Sequence, residues 1–367
     1  MAKLTRRGRG IATIEDVARA AGVSAMTVSR VINGGKNVRE STRASVLEAV
    51  SQLSYSPNTA ARSLAAGEAT HIGLLYANPS AVYLSLFLIG ALEAARRAGC
   101  YLLIESCEFE NGAEQAEVAR RFAKSEVEGV ILPPPLSESR AILAELEAIG
   151  IPVVTVARGE PDPASLNVRI DDFEAAREMT RTLLELGHRN IGFIKGHPNH
   201  VASHDRHRGF LQALNDYGVD SIAAPIEQGY FTYRSGLAAT ERLLGRPQPP
   251  SAIFASNDDM AAAAVSVAHR RGLHIPGDLS IVGFDDTSLA TNVWPELTTV
   301  KQPIAEMAEA AVELLLASLR SRRSGGDEQP AERVLDHSLI TRESAGPPGR
   351  TAKAAIDRPH LSRRRAS

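Results

Sequence analysis

From His71 onward the chain alternates short, nearly continuous apolar runs with amphipathic helical segments, and this rhythm leaves few folds open. HIGLLYA, YLLIESC, GVILPP and PVVTVA are each separated by a stretch of helical periodicity, such as LSLFLIGALEAARRAG or GAEQAEVARRFAKS. The pattern then repeats in NVRID, NIGFIKG, AIFASND and SIVGFDD, with helices such as FEAAREMTRTLLELG between them. Strands that are apolar along their whole length are buried on both faces, and helices between them supply the cover, so the grammar predicts parallel sheets. Two such series of similar length predict two α/β lobes.

Residues before His71 follow a different grammar. Thr13 is placed to cap a helix over IEDVARAA, with Asp16 three residues on, and Gly22 ends it. Ser24 caps a second helix, AMTVSRVI, and a third is expected from about Arg39 to Leu53 on the spacing of Val46, Leu47, Val50 and Leu53. Ala18, Ala21 and Val23 let the first two helices approach, and Gly22 permits the positive backbone angle of a tight turn, as a helix-turn-helix requires. Val28 and Val31 share one face of the second helix and turn inward, which leaves Ala25, Met26, Ser29 and Arg30 outward, where a major groove could receive them. The planar fork of Arg30 suits a guanine edge, while Ala25 and Met26 offer only apolar contact. Ser24, Thr27 and Asn33 are short polar groups suited to phosphates.

Charge supports this division. The net charge of −2 hides a net of +6 in residues 1–66 and +4 in residues 343–367, so the stretch between carries −12. A basic head on an acidic body suits a polyanionic partner for the head alone. The two cysteines, Cys100 and Cys107, fit neither a redox pair nor a zinc knuckle, and a disulfide framework is excluded. The basic start has no apolar run behind it, and no stretch reaches the ~18 apolar residues of a membrane span, so no membrane association and a cytoplasmic location are expected. The last residues, 343–367, are rich in Pro, Gly and Arg and predict a disordered basic tail.

The stretches DVARAAGVSAMTVSRVIN and STRASVLEAVSQLSYSPNTAARSLA, with the strand-end signatures of the body, resemble the lactose-repressor/galactose-repressor (LacI/GalR) family of bacterial transcriptional regulators over about residues 12–342. The resemblance implies an all-α helix-turn-helix head on an α/β core of two lobes, like a periplasmic binding protein, with two doubly wound parallel sheets. The expected domains are a DNA-binding head at 1–57, a hinge at 58–67 and a core at 68–342. Within that core, lobe one is expected at about 68–166 plus 303–330 and lobe two at about 167–300 plus 331–342. It further implies that the hinge becomes a helix on the operator and wedges Leu64 into the minor groove. Asn58 suits a cap, and Ala61 and its neighbours favour helix, yet nine residues are too few to hold one alone. Asn58, Ala61 and Leu64 therefore join the DNA-contacting set.

In a two-lobed receptor the ligand lies in the cleft at the carboxyl ends of the strands. Asn78, Asn257, Asp258, Asp285 and Asp286 all stand where strands end. By motif, the resemblance assigns effector contacts to Arg206, Asn257 and Asp285, with an aromatic surface at Phe231, and Asn78, Tyr83 and Gln302 complete the set. Plainer roles stay open: a buried structural pair for Arg206 and Asp285, and core packing for Phe231. The four histidines of HPNHVASHDRH invite a metal, but no ligand set completes at known spacing, and an exposed loop at the cleft lip is expected instead. No nucleophile elbow, P-loop or dinucleotide fingerprint occurs in the body, so no enzyme activity and no cofactor are expected. The implied partners are a pseudo-palindromic double-stranded operator, a second copy of the chain, and a small effector. A sugar is the expected effector, with a nucleoside or nucleobase as the alternative; less favoured is a sugar-binding protein without DNA function.

Overall fold

The computed structural model describes residues 13–32, 38–53, 70–107, 112–159, 165–326 and 330–349. The chain divides into two compact units between Ala69 and Thr70. The smaller unit contains α1 (Ile14–Ala21), α2 (Ala25–Ile32) and α3 (Glu40–Gln52). Thr13 and Asp16 form the expected reciprocal capping box, and Gly22 closes α1 in the left-handed conformation at φ 66°. Val17, Val28, Val31 and Val46 fill the centre of this unit together with Ala18 and Ala49. On α3 it is Ala49 that turns inward, whereas Leu47 and Leu53 are exposed, contrary to the sequence reading. The reason is geometric: Val46, Ala49 and Val50 share one face at spacings of three and four, and Leu47 lies off it.

The larger unit holds two six-stranded sheets. The first contains β1 (His71–Tyr76), β2 (Tyr101–Ser106), β3 (Gly129–Leu132), β4 (Val153–Val156), β5 (Leu166–Arg169) and β11 (Ala331–Val334), in the order β11-β5-β4-β3-β1-β2. All its pairings are parallel. The second contains β6 (Ile191–Lys195), β7 (Ile226–Gln228), β8 (Ala252–Ala255), β9 (Ser280–Asp285), β10 (Thr298–Lys301) and β12 (Ser338–Ile340), in the order β12-β10-β9-β8-β6-β7. Only β12 runs antiparallel. Each sheet carries the doubly wound order 2-1-3-4-5 in its first five strands, with a reversal of winding beside its first strand.

Helices cover both faces of each sheet. The first lobe uses α4 (Ala81–Ala98), α5 (Gly112–Ala123), α6 (Arg140–Ile149) and, from the far end of the chain, α12 (Ile304–Arg323); the second uses α7 (Asp172–Glu185), α8 (Val201–Asp216), α9 (Tyr233–Leu244) and α10 (Asp258–Arg270), with the short α11 (Ser288–Asn292) at its rim. The chain crosses between lobes after β5, after β10 and after β11. Close packing explains two glycines at helix contacts. A Cβ at Gly90 of α4 would overlap the backbone of Ala305 in α12, and one at Gly209 of α8 would overlap that of Phe173 in α7.

Two boundaries differ from the sequence reading. β5 and β11 belong to the first sheet, although residues 167–169 and 331–334 were expected in lobe two. Strand periodicity marks a strand but not the sheet it joins; register decides that, and Leu166 pairs with Val154 while Ala331 pairs with Leu166. Residues 343–349, expected in a disordered tail, are packed. Ser344 is fully buried, its hydroxyl donates to the Ile281 carbonyl and accepts from the Thr298 amide, and the Gly346 carbonyl meets His188 Nε2 at 2.9 Å. Polar residues hold this segment by hydrogen bonds to backbone, a stabilisation that composition does not register. Residues 350–367 of the expected tail, the basic arm and the hinge lie outside the described residues.

Candidate functional site

On α2 the sequence reading meets the structure at most positions. Val28 and Val31 are buried, while Met26 is 66% exposed and Arg30 also stands in solvent. Ser24 caps the helix: its Oγ accepts from the Thr27 amide at 3.2 Å and lies 2.9 Å from the Thr27 hydroxyl. Ser29 is half-buried. Ala25, expected on the outer face, is half-buried and packs partly on the head's own core, so the exposed outer face of α2 narrows to Met26 and Arg30 with the polar rim around Ser24. Asn33, Asn58, Ala61 and Leu64 lie outside the described residues.

In the larger unit a cavity of about 440 Å³, its open mouth included, lies between the two lobes at the carboxyl ends of the strands. The first lobe contributes Asn78 and Ser80 after β1, Tyr83 in the first turn of α4, Pro134 after β3 and Ala157 after β4. The second contributes His200 and Arg206 around α8, Phe231 after β7, Asn257 after β8 and Asp285 at the end of β9; Gln302 lies on the crossing after β10. All seven effector residues named from sequence thus line one cavity.

Arg206 is fixed from several sides. Its Nε donates to Asp172 Oδ1 at 2.7 Å and its Nη1 to the Ser256 carbonyl at 2.6 Å, with Asp285 Oδ1 at 3.8 Å. The guanidinium carbon lies over the Phe284 ring, 3.5 Å from its centroid. The main partner is therefore Asp172, at the start of α7, which sequence reasoning passed over. A carboxylate opening a helix just after a strand was the available signal. Burial raises the Asp172 carboxyl against the pull of Arg206. Burial also lifts the Asp285 carboxyl well above the ordinary range, Asp258 adding to it, while Arg206 and the Gln302 amide at 2.7 Å work the other way.

The amides divide unequally. Asn257 is committed to structure, because its Oδ1 accepts from Met260 N and caps α10 while its Nδ2 donates to the Phe231 carbonyl at 3.0 Å. Asn78 donates to the Pro134 carbonyl and accepts from Ser80 N. By contrast, Tyr83 Oη and Gln302 Oε1 are buried with no hydrogen-bond partner. Burial, reinforced by Asp285, pushes the Tyr83 phenol above its usual value, which keeps it protonated and able to donate. Two buried polar atoms left open beside a carboxyl and a guanidinium are directional capacity that a polar molecule can satisfy.

The aromatic wall is Phe231, 9% exposed, with the His200 ring stacked 5.4 Å from it. Gly196 makes room, since a Cβ there would overlap the ring. His200 corrects the expectation of an exposed histidine loop: Pro198 and Asn199 are exposed, but His200 is buried, and burial, then His197 and Arg206, lowers its imidazole to about 3, so it is neutral. Backbone strain concentrates here. Ala157, Phe231 and Asp285 have φ of 52°, 59° and 113°, a region costly for residues with a Cβ. Ser80, Ala157 and His200 were missed in the sequence; the helix-capping serine before AVYL was the one usable cue.

A helix-turn-helix head joined to a two-lobed receptor with a polar interlobe cavity defines a class: DNA-binding regulators with a small-molecule pocket. Residues 13–58 match the bacterial regulatory proteins of the lacI family, and residues 180–345 match the periplasmic binding protein-like domain. Catabolite control protein A of Priestia megaterium is 36% identical over 305 residues, 83% of this chain and 91% of that protein. A transcriptional regulator CelR–cellobiose complex superposes with a TM-score of 0.69 at 31% identity, covering 91% of this chain and all of that one. A lac repressor dimer bound to operator and the anti-inducer ONPF gives 0.68 at 26% identity, covering 92% and 100%. This chain belongs to the lacI family of bacterial regulatory proteins, and it is a DNA-binding transcriptional regulator, not an enzyme.

Proposed function

We propose that the chain is a homodimeric repressor of carbohydrate-utilisation genes, released from its operator when a neutral sugar occupies the interlobe cavity. The observation that carries the effector reading is the pair of open polar atoms, Tyr83 Oη and Gln302 Oε1, in the cavity that also holds Asp285, Arg206 and the Phe231 wall. A carboxyl, a guanidinium, a phenol and an amide oxygen around an apolar ring face match a polyol, which offers several hydroxyls and one flat hydrophobic side. The CelR complex with cellobiose favours the same reading.

On the DNA side, Arg30 and Met26 would read base edges while Ser24, Thr27 and Asn33 set the register on phosphates. Asn58, Ala61 and Leu64 would form the hinge helix whose wedge bends the duplex. For the dimer, the edge strand β2 and helix α4 of the first lobe expose Tyr101, Leu103, Ile104, Ile89 and Leu92, an apolar strip suited to a second copy. Among the described residues no helix is long and apolar enough to cross a membrane, and a DNA-binding role fits the cytoplasm. A thermal-shift screen of mono- and disaccharides on the full chain tests the effector: a sugar bound to the folded state raises the unfolding midpoint by mass action, about 2.7 kcal/mol at a hundredfold excess over Kd. A rise with nucleosides and none with sugars would replace the sugar by a nucleoside.

A further inference from the structure

Helix α8, which carries Arg206 into the cavity, begins without a cap of its own, since its N-cap residue His200 makes no capping bond by its side chain. The first amide of the helix, Val201 N, donates instead to Oε1 of Glu138 at 2.9 Å. Glu138 belongs to the opposite lobe, at the end of the 3-10 turn Leu136–Glu138. The same seam is tightly packed: a Cβ at Gly159 in the first lobe would overlap the Val201 side chain. A second hydrogen bond spans the cleft, from Ser80 Oγ, the N-cap of α4, to Asp259 Oδ2 in the first turn of α10, at 2.7 Å.

We propose that Glu138 is a positioning residue of the effector response: the first lobe completes the N-terminus of the helix that bears Arg206, so closing the cleft and setting that arginine are one event. This rests on the effector reading above, but it can fail separately. An open cleft leaves the Val201 amide and the Glu138 carboxyl to water, whereas a closed one withdraws both from it and joins them. The charged groups facing Glu138 are Arg158, from the segment after β4, and His204 and Asp205 on α8. Burial raises its carboxyl to about 7 and outweighs the Val201 amide, Arg158 and His204, which favour the charged form; Asp205 acts with burial. Closure therefore takes up a proton between the ordinary carboxylate range and about pH 7, and it weakens as the pH rises through that value. Glutamine keeps an acceptor oxygen for Val201 without the charge.

Amide hydrogen exchange of residues 201–206 in the full chain, corrected for the intrinsic pH dependence, tests this at pH 6 and pH 8. In the wild-type chain protection should fall by about fivefold between the two, the worth of one hydrogen bond. Glu138→Gln should hold the pH 6 value at both, and Glu138→Ala should lack it at both while residues 207–216 exchange as before. Wild-type protection in Glu138→Ala, or a Gln variant that follows the wild-type trend, overturns the proposal. Should the alanine variant not fold, the Gln comparison still decides. Adding cellobiose or glucose separates the two readings. A sugar that protects 201–206 equally in wild type and Glu138→Ala keeps the effector and removes the latch. Variants that differ as expected, with no sugar protecting the wild type, keep the latch and remove the sugar.

Discussion

At the scale of single residues, the cavity depends on buried charge held in balance. Arg206 and Asp172 are both nearly inaccessible and joined at 2.7 Å, so neither can lose its partner cheaply. Removing one member of a buried pair typically costs about 3–5 kcal/mol because the other charge is left unpaired. Asp172→Ala should therefore lower the free energy of unfolding by about that amount, measured by denaturant titration of the full chain, and Asp172→Asn should cost less. A loss below about 1 kcal/mol for the alanine variant would show that Asp285 already suffices as the partner of Arg206. Motif reading located Arg206 and Asp285 but not Asp172, because the identity of an arginine's main partner is a matter of distance across two helices. Asn257 shows the reverse case. Its place at a strand end was legible, yet its amide is spent on capping α10 and holding Phe231, which only the hydrogen bonds reveal.

At the scale of elements, local signals translated well wherever the stabilisation itself is local. The capping box of α1, its left-handed Gly22 and the serine cap of α2 follow from side chains within four residues of the backbone they satisfy. Thr13→Ala should cost the head about 1 kcal/mol of stability, the usual worth of an N-cap side chain, read from the thermal unfolding of the DNA-binding unit within the full chain; no change would mean that Asp16 and packing alone start the helix. Most strands that periodicity marked are buried on both faces, such as β1, β3 and β8, whereas β2, marked by the same apolar run, is an edge strand and largely exposed. β7, β11 and β12 escaped because none of their residues is buried, so no apolar run announces them, and β10 escaped because TTVK holds a single apolar residue. Such strands owe their existence to a neighbour's register, which one segment does not encode. The packed stretch 343–349 escaped for a related reason, since Ser344 is held by backbone groups 46 and 63 residues away in sequence.

At the scale of the whole molecule, two doubly wound sheets place their strand ends around one cleft, and three crossings tie the lobes so that a ligand between them can change their angle. That arrangement was legible from the alternation after His71, while the sheet to which β5 and β11 belong was not. Coupling to DNA then requires only that ligand and operator favour different lobe angles, and a hundredfold change in operator affinity needs about 2.7 kcal/mol of discrimination. The sign and the site can be read together. Fluorescence anisotropy of the full chain on an operator selected from random-sequence duplexes, with and without the sugar that stabilises the chain, is the most direct measurement, performed in parallel on Asp285→Asn. The sugar should weaken wild-type binding at least tenfold, and the variant should bind the operator normally but ignore the sugar. An operator affinity indifferent to every stabilising sugar, or a sugar response intact in Asp285→Asn, would contradict it.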